Sequence, residues 1–137
     1  MKKILVPAVM IALLALVACG KSEGGGPTPT ATGGGTGRGG NVVEMSSVTF
    51  VQSSISIKAG GSVTFKDPQS TGGYHILCLG DNQTCKSNPQ GPADLNNPSG
   101  ITFNAGDPDK SIVFANPGTY VVTCTIHPNM DVTINVS

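Results

Sequence analysis

The stretch TYVVTCTIHPNM, residues 119–130, alternates apolar and polar side chains as far as Cys124 and then breaks into a short segment stiffened by Pro128. A period of two places Tyr120, Val122 and Cys124 on one face of a strand and Val121 and Thr123 on the other. If the first face points inward, the Cys124 sulfur lies at the end of a core, sheltered from water. His127 and Met130 follow on the turn to a last alternating segment, DVTINVS (131–137).

The same period recurs upstream in SVTFVQ (47–52), SISIKA (54–59), SVTFKD (62–67), YHILCL (74–79) and KSIVFA (110–115). Gly60-Gly61, Gly72-Gly73, Gly106-Asp107-Pro108 and Asn116-Pro117-Gly118 separate these runs as turn signals. No segment carries a sustained helical period, so the expected class is an all-β sandwich. Residues 80–100, GDNQTCKSNPQGPADLNNPSG, hold almost no apolar side chain and three prolines. They read as a long irregular loop, with one short helical turn around Ala93 to Asn96, and loops of that length need pinning or carry function.

The beginning of the chain has a different character. Lys2 and Lys3 precede an apolar run from Ile4 to Val17, the pattern of an export signal. The run is shorter than the roughly 20 residues needed to cross a membrane as a helix. Leu16-Val17-Ala18-Cys19 resembles the bacterial lipobox, which implies a signal over residues 1–18 and lipid on Cys19. Acyl chains contribute on the order of 0.8 kcal/mol per buried CH₂, so a multiply acylated Cys19 holds a protein at a membrane surface. The expected location is therefore extracytoplasmic, periplasmic or on the outer face of the cell membrane. Residues 19–41 then form the lipidated N-terminus and a linker rich in glycine, proline and threonine, with a reach of roughly 25 Å. The folded domain spans residues 42–137. Without the signal the chain keeps 6 basic and 8 acidic residues, a balance that argues against nucleic acid as a partner.

Four cysteines are present and tryptophan is absent. With Cys19 taken by lipid, Cys78 and Cys85 can close a small ring in an oxidising compartment and anchor one end of the long loop. Cys124 is then left over. The alternative, Cys78 with Cys124, would imitate the bridge of an immunoglobulin domain, but the tryptophan that packs on such a bridge is missing.

Thiolate, imidazole and thioether at every third position make a donor set too soft for calcium or magnesium and suited to copper. Structural zinc sites rarely use methionine. A trigonal copper site needs two imidazoles, and the chain has two histidines, His127 and His75. Taken singly, His75 reads as a hydrogen-bonded strand histidine, Met130 as core and Cys124 as an inert thiol; their joint spacing favours ligation. His75 followed by Cys124-x2-His127-x2-Met130 resembles the type 1 blue copper proteins, the cupredoxins of the plastocyanin and azurin kind, with the short ligand loop of the amicyanin type. ISIKAGGSVTFKD and NPGTYVVTC resemble the family's early strands and its approach to the copper cysteine.

The resemblance implies a Greek-key β-sandwich of about seven to eight strands. It implies one type 1 copper, Cu(I)/Cu(II), with His75, Cys124 and His127 as equatorial ligands and Met130 as the weak axial one. It also implies electron transfer through a partly exposed His127, with Ile126, Pro128 and Asn129 beside it as a docking patch for redox proteins that serve as donor and acceptor. A monomer is expected. Two positions depart from the pattern: Ile76 stands where asparagine usually ties the ligand loops, and Asp131 follows Met130 where a glycine is common nearby.

A multicopper enzyme would need further histidines, and Thr123 and Thr125 flank Cys124, so no enzyme is expected. A copper delivery or sensing lipoprotein is the alternative function. A metal-free adhesion module is a third possibility, and it requires a Cys78–Cys124 bridge.

Overall fold

The computed structural model describes residues 41–137. The signal, Cys19 and all but the last residue of the linker lie outside the described residues.

The alternating segments form strands because one face of each has core to cover. Nine strands follow in chain order: β1 (Val42–Glu44), β2 (Ser54–Ile57), β3 (Gly61–Lys66), β4 (Tyr74–Asp81), β5 (Thr84–Cys85), β6 (Ile101–Asn104), β7 (Lys110–Phe114), β8 (Gly118–Cys124) and β9 (Asp131–Val136). No helix occurs among the described residues. One sheet has the order β1-β3-β7 and the other β2-β9-β8-β4-β5, with β6 also paired to β4. β1 runs parallel to β3 and β2 parallel to β9, while the other pairings are antiparallel. The expected all-β sandwich is therefore present.

Each core strand shows the alternation in its burial. Val63 and Phe65 of β3, Ile112 and Phe114 of β7, Tyr120, Val122 and Cys124 of β8, and Val132, Ile134 and Val136 of β9 point inward. Burying a side chain of this size contributes about 1.5–3 kcal/mol. Phe65 sits between Phe50 and Phe103, with ring centroids 6.5 and 6.4 Å away. Tyr120 packs on Phe114 and uses its hydroxyl to donate to the carbonyl of Asn116 at 2.9 Å, so its polar tip is not stranded.

Two segments differ from the sequence expectation. Residues 47–52 form no strand: Met45 and Phe50 make an isolated bridge around a turn in which the Thr49 amide donates to Ser46 Oγ at 3.2 Å. Two serines followed by a threonine offered local hydrogen bonds that compete with a ladder. Residues 80–100 are not wholly irregular, because β4 continues to Asp81 and turns back as β5. In the same loop Leu95 is fully buried and its carbonyl accepts from Leu79 N at 2.8 Å. A single turn holds it there, with Asn96 N donating to Pro92 O at 2.9 Å.

Candidate metal centre

β4 and β8 lie side by side in antiparallel register, with Leu77 opposite Cys124 and Cys78 opposite Thr123. That register carries His75, near the start of β4, to the same end of the sandwich as Cys124, the last residue of β8. His127 reaches back from the loop between β8 and β9. The loop is closed by its own backbone: Cys124 N donates to Met130 O at 2.9 Å, and Met130 N to His127 O at 3.4 Å. Asn129 takes a left-handed conformation, φ 58°, which lets so short a loop turn.

Three donor atoms converge. His75 Nδ1 and His127 Nδ1 are 3.2 Å apart, and Cys124 Sγ is 3.9 Å from the first and 3.6 Å from the second. A point equidistant from all three lies about 2.1 Å from each. That matches typical metal–imidazole and metal–thiolate bonds of about 2.0–2.1 and 2.3 Å. The residues therefore fit a single soft metal ion without rearrangement. His75 and Cys124 are fully buried and His127 is half-buried. Met130, also fully buried, closes the loop. Ile126, Pro128 and Asn129 are exposed around His127.

Cys78 and Cys85 are joined in a disulfide, and Cys124 is the free cysteine among the described residues. This removes the Cys78–Cys124 bridge that the adhesion-module reading required. Where the resemblance leaves Ile76 in place of asparagine, the two ligand segments are tied by backbone: Thr125 N donates to Ile76 O at 2.9 Å.

The far side of the His75 ring holds a group that sequence reasoning missed. Asp67 Oδ1 lies 3.9 Å from His75 Nε2, and both side chains are fully buried. Asp67 Oδ1 also accepts from Gly73 N at 3.1 Å, which aims the carboxylate. Asp67 Oδ2 and His75 Nε2 have no hydrogen-bond partner. A carboxylate behind a ligating histidine favours the tautomer with hydrogen on Nε2, leaving Nδ1 free for metal. The two glycines make room for the arrangement, since a Cβ at Gly72 would collide with Asp67 Oδ1, and one at Gly73 would sit 2.8 Å from Ser47 O. A lone aspartate eight residues before a histidine carries no sequence signal, and Gly72-Gly73 next to YHILC marked only a turn. Burial lowers the His75 pKa below its ordinary value. Asp67 pulls it upward, the neighbouring His127 lowers it, and the Ser46 backbone exerts a weaker upward pull.

No protein-family model and no curated relative matches the sequence. Solved structures do match. Amicyanin from Paracoccus versutus (Thiobacillus versutus) aligns with TM-score 0.50 at 22% identity, covering 70% of this chain and 79% of its own. A proline-to-glycine mutant of amicyanin, in its reduced Cu(I) form at pH 4, aligns with TM-score 0.51 at 20% identity, covering 74% and 86%.

The chain has the cupredoxin fold. At these identities the likeness establishes fold alone, and the chemistry rests on this chain's own donor atoms. In this cupredoxin-like sandwich the cluster sits at one end, where β4 begins and β8 ends.

Proposed function

We propose that the protein is a type 1 copper protein that carries single electrons between extracytoplasmic redox partners while tethered to a membrane through lipid on Cys19. In this reading His75, Cys124 and His127 would hold the copper and Met130 would offer its thioether as a weak further ligand. The observation that carries it is the convergence of two imidazole nitrogens and one buried thiol at 3.2–3.9 Å, in a fold shared with amicyanin. The chemistry that copper would supply there is a one-electron change, the Cu(II)/Cu(I) couple.

The chain's task is to keep its donors still during that change. Asp67 and the glycines beside it orient His75. The Cys124 amide is bound to Met130 O, and burial shields the sulfur from water and oxidants. His127 is half-buried on a loop with exposed Ile126, Pro128 and Asn129, a patch suited to brief encounters with an electron donor and an acceptor. With both histidines committed to the metal, no histidine remains for a second copper site.

The test uses the full chain, purified in detergent and loaded with Cu(II), beside Cys124→Ala. The expected result is an intense visible thiolate-to-copper band that ascorbate bleaches, air or ferricyanide restores, and the substitution abolishes. A colourless loaded protein sinks the proposal. A band that cannot be restored because the metal leaves on reduction favours copper delivery or sensing instead.

A further inference from the structure

The β4–β5 hairpin is closed by the Cys78–Cys85 disulfide and by backbone pairing of Gly80 with Cys85 and Asp81 with Thr84. Lys86 adds a bond from its amide to Leu79 O at 2.7 Å, and its Nζ lies 2.7 Å from Asp81 Oδ1. At its tip, Asn82 and Gln83 both adopt positive φ, 47° and 63°. That conformation is costly for residues other than glycine and persists where the surroundings enforce it.

Its result is that two successive backbone N–H groups leave the hairpin and reach β8 and β9 of the same sheet. Asn82 N donates to Asp131 Oδ2 at 3.4 Å and Gln83 N donates to Thr123 Oγ1 at 3.1 Å. Thr123 and Asp131 face each other across β8 and β9, on the last rung before the ligand loop. The Gln83 side chain goes further: its Nε2 donates to Thr125 O at 3.3 Å. Thr125 in turn donates its amide to Ile76 O, one residue from His75. The tip thus contacts the residue before Cys124, the residue after it, and the residue after Met130. Thr123 is fully buried, and its hydroxyl meets this exposed tip.

We propose that the disulfide-closed hairpin tip is the tie that holds both ends of the ligand loop, with Gln83 as a positioning residue for Cys124. The proposal rests on the reading of His75, Cys124 and His127 as a copper site. With both ends pinned, the Cys124 sulfur keeps its place in the donor triangle when the ion changes charge or departs. A hairpin that merely covers sheet surface would have no such effect on the loop.

The test compares the full chain with Gln83→Ala, which removes only an exposed amide, and with Thr123→Val, which removes the buried acceptor while keeping volume. Thr123→Ser serves as the rescue, and Cys78→Ser with Cys85→Ser opens the hairpin. Two readouts are taken. In the metal-free chain, hydrogen exchange at the Cys124, Thr125 and Met130 amides is expected to quicken about tenfold in Gln83→Ala and Thr123→Val and to return in Thr123→Ser. In the copper-loaded chain, release of copper to a chelator is expected to quicken on the order of tenfold with a shifted thiolate band, as losses of groups that orient metal ligands do. Unchanged exchange and unchanged release in folded variants overturn the proposal. A parent chain that takes up no copper instead overturns the reading of the site; exchange then still decides the tie, quickening supporting it and constancy rejecting it.

Discussion

Asp67→Asn isolates the charge behind His75 with almost no change of shape. The amide oxygen can still accept from Gly73 N, so the loop keeps its anchor, and what disappears is a buried negative charge 3.9 Å from the ring nitrogen. Two unit charges at that separation attract by about 4 kcal/mol at an effective dielectric near 20, which sets the ceiling. Only part of the metal's charge is felt at the ring, so the loss falls within the 10- to 100-fold drop in metal affinity typical for such partners. Each factor of ten is about 1.4 kcal/mol. The more highly charged Cu(II) state feels the carboxylate more than Cu(I). If the whole loss falls on Cu(II), the reduction potential rises by about 59 mV per factor of ten, or roughly 60–120 mV. The assay is a redox titration of the copper-loaded chain and the variant at one pH, followed on the visible band, with thermal melts of both metal-free proteins as the control for folding. A folded variant whose potential moves by less than about 20 mV, or downward, refutes the assignment of Asp67 as a partner of the site.

Two further outcomes test other parts of the molecule. Leu95→Ala, which removes the one fully buried side chain of the 82–100 segment, is expected to cost about 2–4 kcal/mol in a denaturant titration, and a loss below about 1 kcal/mol would mean that the loop is not docked. The metal-free chain is expected to lose stability as pH falls below the ordinary histidine value of about 6.5. There the unfolded chain takes up a proton that folded His75, its pKa lowered first by burial, resists, and the loss ends once pH passes below the folded value. Denaturation midpoints at several pH values for the parent and His75→Gln measure this; an identical pH dependence in the two proteins would remove His75 as the cause.

Much of the site was legible because its donors are chemically rare and regularly spaced. Cys124, His127 and Met130 lie on one short segment, and His75 is the other histidine of the chain. The core strands were legible for a similar reason, since Val63, Phe65, Val132 and Ile134 alternate with polar neighbours. The short strands were not. β1 has three residues and β5 two, too few for a period to show, and the four of β6 directly follow the polar 80–100 segment. The segment SVTFVQ had the alternation of a strand, yet Ser46 and Thr49 bonded to each other and turned it.

By itself the sequence determined the class of fold, the soft donor set and that Cys78 and Cys85 can close a small ring, because periodicity and residue chemistry are local properties. Only the tertiary structure decided which groups stand behind those donors. Asp67 reaches His75 through the glycine turn between β3 and β4, and the Asn82–Gln83 tip reaches Thr123 and Asp131, 40 and 49 residues away along the chain. Such contacts depend on strand register and loop closure, which are set by how the two sheets pack and leave no periodic trace along the chain.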